Sequence, residues 1–329
     1  MNINKIKPYL AFLFLCLAYG TSSALVAVIR RRVDPIIISI LRMFFGFLTS
    51  LLIFIYKILS NQKYLCRIRQ SLSSHSTDFL RGVFCGVFNY GFPYSLVAIS
   101  QRSVSTIAVQ ISQPFVPIFS LIGGHFLSIE KCSPQKFFFQ FISVIGTILS
   151  SIPTFLHSEK NKSSFIVDYF LLLISTVSFG FGAVFLKYFQ PQADQTLLCV
   201  FQLFGAFLYS ILYGFFSIGL KKLFSNLSEI ECASLFQTFI LGVFYTCFTS
   251  HCVVYTMKKL GMVAANYTNV GQIIIGILIG VTFLGEWNEY SAFDIFLNIA
   301  GLFVLFLSIV FGMQNETKPN KMWLLLYKK

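Results

Sequence analysis

Charge is what this sequence has least of. Asp, Glu, Lys and Arg together make up 11% of it, while 56% is hydrophobic. A soluble domain carries about 25% charged residues, so a chain of 329 residues at less than half that level cannot cover a globular surface. Acidic residues are the scarcer sign, 12 against 25 basic ones. Asp34, Asp78, Glu130, Asp168, Asp194, Glu286 and Asp294 fall at the ends of apolar runs or between them, and no carboxylate sits deep in a run, where a membrane proton relay needs one. The eight cysteines form no CxxC pair, and Cys247 and Cys252 share a run without a second ligand pair nearby. That leaves neither a disulfide framework nor a zinc site. The sequence also has no P-loop, no dinucleotide fingerprint, no HExxH and no serine elbow. No enzyme activity, cofactor or metal is expected from it.

What is present is long apolar runs. A bilayer core of roughly 30 Å needs about 20 apolar residues per helix. Ten runs meet that need approximately, over 9–29, 36–57, 79–100, 104–128, 136–155, 165–187, 196–219, 235–256, 263–284 and 291–312. The longest polar gap, about 58–78, is too short for a soluble domain. The expected fold class is an all-α integral membrane protein of ten transmembrane helices. The net charge of +13 invites a nucleic-acid reading, but Lys and Arg in loops more simply set membrane orientation. With a cytoplasmic N-terminus, the inside segments hold Lys5, Lys7, Lys57, Lys63, Arg67, Arg69 and the basic tail. They outnumber the outside set, led by Arg30, Arg31, Arg32, Lys221 and Lys222. Both termini are expected in the cytoplasm. The expected partners are the lipid bilayer and a small-molecule substrate, with no nucleic acid and no oligomer required.

The sequence also repeats itself. At a shift of 156 residues, Gly86-Val87-Phe88 falls on Gly242-Val243-Phe244, Arg102 on Lys258, Ala108 on Ala264, Gln110 on Asn266, Gln113 on Asn269, Gly124 on Gly280 and Glu130 on Glu286. At a shift of 160, Gly20 falls on Gly180, Arg42 on Gln202, Phe47-Leu48 on Phe207-Leu208 and Ser50 on Ser210. The two shifts differ by the length of one loop. Because the first run has a later copy, it reads as a retained helix and not as a cleaved signal peptide. The expected units are 1–156 and 165–312, each of five helices, followed by a cytoplasmic tail over 313–329, where Trp323 and Tyr327 suit a membrane interface. Five is odd, so the second unit enters the membrane inverted, as in many secondary transporters.

The arrangement resembles the EamA-like members of the drug/metabolite transporter superfamily. The matching signals are Ala18-Tyr19-Gly20, Ser39-Ile40-Leu41-Arg42-Met43-Phe44 and Leu284-Gly285-Glu286, although Ser128-Ile129-Glu130 lacks the usual glycine. The resemblance implies a translocator in an inner or plasma membrane. The expected function is transport of a small polar metabolite by alternating access, the candidates being amino acids or a larger zwitterion such as S-adenosylmethionine, which some members of the superfamily carry. A drug/metabolite exporter and a membrane-embedded enzyme acting on lipid-linked substrates are the alternatives.

Candidate substrate contacts follow from polar side chains at membrane depth. Gln110 and Gln113 in the fourth run, and Asn266, Asn269 and Gln272 in the ninth, recur at spacings that keep each set near one helix face. A single buried amide is more often interhelical glue; two pairs at matching positions favour a cavity. Pro114 and Pro117 bend the fourth run and free carbonyls near Gln110 and Gln113 that could bind substrate or merely shape a cavity. Their counterparts Val270 and Ile273 do neither, so the halves are expected to move unequally. Asn89, Tyr90 and Tyr94 in the third run, and Tyr245, His251 and Tyr255 in the eighth, supply aromatic and polar tips suited to a small-molecule wall. Pro93 and Gly91 are expected to kink the third run. Arg42 has two readings, a structural ligand of helix ends or a cation for a substrate carboxylate or phosphate; Lys187 has the same two. The missing carboxylates point to a facilitator or exchanger, not a proton-coupled pump.

Overall fold

The computed structural model describes residues 3–74, 76–101, 109–110, 112–129, 133–156, 162–189, 194–284 and 290–317. Within them the chain is helical. The long helices are α1 (Ile3–Ile29), α2 (Pro35–Ser60), α7 (Pro134–Leu156), α8 (Lys162–Phe189), α9 (Gln195–Ile218) and α15 (Ala292–Thr317). Two further spans are composite. One is α4 (Ser76–Gly86), a π-helical segment Val87–Gly91 and α5 (Phe92–Ser100); the other is α11 (Cys232–Gly242), a π-helical segment Val243–Phe248 and α12 (Thr249–Leu260). These eight are long and apolar enough to cross a membrane. The fourth and ninth runs form shorter pieces. α6 (Phe115–Phe126) follows a turn at 113–114, and α13 (Met262–Asn266) is parted from α14 (Thr268–Leu284) at Tyr267. The chain is therefore a multi-pass helical membrane protein, with eight long spans and two interrupted apolar helices where ten continuous runs were expected.

Helix starts are written locally. Asp34 caps α2, its carboxylate accepting from the Ile36 N–H at 2.8 Å, and Pro35 follows where a missing N–H costs nothing. Asp194 caps α9, accepting from Thr196 at 2.9 Å and Leu197 at 3.1 Å. The two caps are the same position at the shift of 160. The gaps after these spans are not plain loops. α3 (Gln62–Ser74) and α10 (Leu220–Ser228) are amphipathic helices, because Ile68 and Leu223 turn inward at 3% and 6% exposure while charged neighbours face out.

Packing relies on small residues where backbones meet, as expected when lipid leaves no hydrophobic drive between helices. A Cβ on Gly86 would lie 1.8 Å from the Gln202 carbonyl oxygen, and one on Gly242 would lie 2.8 Å from the Arg42 carbonyl oxygen. Likewise Gly20 meets Ile275 and the Gln272 carbonyl, while Gly180 meets Phe119 and the Val116 carbonyl. Each contact maps onto its fellow at the shifts found in the sequence. Large apolar side chains such as Phe126, Phe216, Phe293 and Leu59 stay on the outside, which suits acyl chains rather than water.

Glu130, Glu286, Arg102, Ala108, the linker residues 157–161, Trp323 and Tyr327 lie outside the described residues.

Candidate functional site

Among the described residues a partly open cavity of about 90 Å³ lies between the helices. Its walls come from α1, α5 with the preceding π segment, residues 109–116, α8, α12 and the α13–α14 junction, with Arg42 reaching in from α2. Asn89, Tyr90, Tyr94, Gln110, Gln113, Asn266, Asn269, Gln272 and Arg42 all line it.

The interrupted helices place the amides. Before α6, Gln113 N–H donates to Gln110 C=O at 3.2 Å and Val116 N–H donates to Gln113 C=O at 3.0 Å. These are the two carbonyls that Pro114 and Pro117 leave without their usual i+4 donors. Tightened i→i+3 bonds have taken them up, so the prolines shape the cavity wall and do not present free carbonyls. In the second half the interruption has another cause. Tyr267 is fully buried at 1% exposure, its ring lodged where a Cβ on Gly312 would meet the phenol oxygen at 2.2 Å. Its carbonyl accepts from both Val270 and Gly271.

The amides divide their work. Gln110 Nε2 donates to Ser23 Oγ on α1, and Asn266 Nδ2 donates to Ser120 Oγ on α6 at 2.7 Å. Those bonds are interhelical, so this pair is glue as well as lining. Among the described residues the Gln113 side chain donates to its neighbour Ser112 at 3.4 Å, and Asn269 Oδ1 accepts from Gln272 at 3.5 Å. This second pair keeps most of its hydrogen-bonding capacity for the cavity.

Both composite spans contain a π-helical segment at positions matched by the shift of 156, and the first of them lines the cavity through Asn89 and Tyr90. In the first, Phe92 N–H donates to Val87 C=O; the next such bond is impossible because Pro93 has no N–H, and Ser178 Oγ on α8 donates to Phe88 C=O at 2.7 Å instead. In the second, Thr246 Oγ1 donates to Leu241 C=O at 3.1 Å and accepts from Arg42 Nε at 2.8 Å. Arg42 Nη2 donates to Tyr245 C=O at 3.2 Å, and its guanidinium lies 3.8 Å over the Tyr94 ring. Arg42 thus serves as a helix-segment ligand and faces the cavity at once.

His251 and Tyr255 do not line the cavity. His251 Nε2 lies 3.3 Å from Ser50 Oγ, and its carbonyl accepts from Gln195 Nε2 at 3.0 Å. It belongs to a polar seam with Lys57, which donates to Thr196 at 2.7 Å, and Tyr64, which donates to Asp194 at 2.6 Å. Burial, reinforced by the bond to Asp194, raises the Tyr64 phenol above its ordinary pKa. Tyr255 is partly exposed. Lys187 lies outside the cavity as well, donating to Met257 C=O at 3.4 Å. The sequence reading passed over Ser22, Ser23, Gln101 and Phe179, which do line it. Gln101 was the most legible of these, an uncharged amide just past the third run; Phe179 carries no polar signal.

Residues 6–152 match the model of the EamA-like transporter family, and with it the drug/metabolite transporter resemblance of the sequence motifs. No curated protein matches the chain. A solved structure, titled only as the crystal structure of a protein, superposes with a TM-score of 0.63 at 14% identity. The superposition covers 94% of this chain and 96% of the other, a likeness of fold alone.

Proposed function

We propose that this EamA-like membrane protein is a secondary transporter that moves a small polar metabolite by alternating access. The observation that carries the reading is the cavity itself, where two interrupted helices bring matched amides to one space. Discontinuous helices meeting at mid-membrane are how many transporters build their sites. In this reading 1–156 and 165–312 are inverted five-helix repeats, so each interrupted helix counts as one span and the total is ten. The paired glycine contacts, the matched Asp caps and the matched π segments support that symmetry. The tail over 313–329 and the N-terminus are cytoplasmic, in an inner or plasma membrane, and transport is by facilitation or exchange. The starting panel is amino acids and related zwitterions, including S-adenosylmethionine.

The test is flux through the purified chain in sealed vesicles, with and without an imposed pH gradient. Exchange of a panel metabolite that needs no gradient, and that is lost in the Gln113→Ala/Asn269→Ala double variant while the folded yield holds, supports the proposal. Unchanged flux in that variant removes the cavity from the mechanism, and strict dependence on the proton gradient removes the facilitator.

A further inference from the structure

Charge inside the cavity is unbalanced. Arg42 lines it at 4% exposure, and among the described residues no Asp or Glu does. The contacts holding Arg42 are all neutral, a hydroxyl, a backbone carbonyl and an aromatic face. A guanidinium has five N–H donors in a planar fork; the two hydrogen bonds above use two. A buried cation without an anionic partner is costly, and the cost is relieved when a ligand brings the missing negative charge.

A second set of observations points the same way. Among the described residues Gln101, 1% exposed, has neither amide atom hydrogen-bonded, and Gln110 Oε1 is likewise without a partner at 2% exposure. Both residues line the cavity. Buried polar atoms are almost always satisfied, and a primary amide offering both donor and acceptor is complemented by another amide-like group.

The aromatic lining does not form a cage for a cation. Arg42 occupies one face of Tyr94; Tyr90 stacks on Tyr94 at 6.2 Å between centroids, and Phe179 meets it edge-on at 5.1 Å. A phosphate monoester, with a charge of about −1.5 to −2 at neutral pH, overcompensates a single Arg.

Resting on the transporter reading of this cavity, we propose that its substrate is an organic acid of one net negative charge. Its carboxylate binds the Arg42 fork, and a neutral amide-like group on the same molecule binds Gln101 and Gln110. Within the starting panel the same charge favours acidic members and disfavours S-adenosylmethionine, whose net charge is positive.

The test uses the purified full chain in detergent and three matched probes, 4-acetamidobutyrate, its neutral amide 4-acetamidobutanamide and the cation N-acetylputrescine. Saturable thermal stabilisation by the acid is expected, with the amide weaker by about tenfold to a hundredfold, as loss of a charge-assisted bond implies, and with no response to the amine. Arg42→Gln abolishes the difference between acid and amide. Arg42→Lys, which keeps the charge but not the fork, retains a weaker preference for the acid, and Gln101→Leu weakens all binding without changing that preference. Equal stabilisation by the amide, preference for the amine, no response to any of the three, or an acid preference surviving in Arg42→Gln overturns the proposal. Flux of the labelled probes in vesicles separates the two readings. An acid that binds but does not cross sinks the transporter and leaves the anion site; a neutral or cationic solute carried equally well by Arg42→Gln does the reverse.

Discussion

The two halves of the protein solve the same geometric problem with different residues. Each interrupts a membrane helix beside the cavity. The first half does it with Pro114 and Pro117, backbone defects written into the sequence, whereas the second does it with Tyr267, a large side chain driven into the groove at Gly312. Each also carries a π segment. The first depends on Pro93 and a hydroxyl borrowed from Ser178; the second depends on its own Thr246 and on Arg42. The cavity lining diverges likewise. Tyr19, Ser23 and Gln101 of the first half stand where the second has Phe179, Ala183 and Met257, so at these three positions the first half is polar and the second apolar. At the shifts found in the sequence, the positions at which helices touch or break match between the halves, while the chemistry of the walls differs.

That comparison can be broken at several points. The largest difference is expected between Gly86→Ala and Gly242→Ala. At Gly86 the new methyl lands on a backbone carbonyl 1.8 Å away, which cannot rotate aside. Overpacking of that kind costs about 3 kcal/mol or more, and thermal unfolding in detergent should show little folded protein. Gly242→Ala meets Phe45 at 2.5 Å and the Arg42 carbonyl at 2.8 Å, and a smaller loss of stability is expected. Equal midpoints for the two variants contradict the geometry. Next comes the amide pair. Loss of both Gln113 and Asn269 should slow vesicle flux about thirtyfold or more, two hydrogen bonds at about 1 kcal/mol each being enough; Gln113→Ala and Asn269→Ala measured singly report how evenly the halves share the substrate.

The π segments give a finer contrast. Thr246→Ala strands the buried Arg42 Nε and should cost about 1.5–3 kcal/mol, because that bond is charge-assisted. Ser178→Ala strands only the Phe88 carbonyl and should cost about 1 kcal/mol. Chemical or thermal melts that reverse this order would place the charge of Arg42 elsewhere. Smallest of all is the ion pair joining Arg32 to Glu231 at 2.8 Å, with side chains 64% and 62% exposed. Glu231→Gln should change stability by at most about 1 kcal/mol, and less at high salt.

The composition, the length of the apolar runs and the internal shifts were enough to identify a multi-pass helical membrane protein and to pick most of the polar residues that line its cavity. These features are legible because lipid imposes them locally: backbone groups must be satisfied within each segment, and amides at depth must turn inward. The Pro114 interruption was legible for the same reason, since a missing N–H acts on its own helix. Tyr267 was not, because nothing in residues 263–284 breaks a helix by propensity; the interruption exists only once α15 offers Gly312 as a slot. His251 and Tyr255 share a face, as their spacing says, but the π segment before them helps set which way that face points, and it points to Ser50 rather than the cavity. Arg42 shows the same division. Its sequence position established that it lies at membrane depth and needs partners. Only the packing of α2 against the second π segment decided that those partners would all be neutral, which leaves its charge to be balanced by whatever enters the cavity.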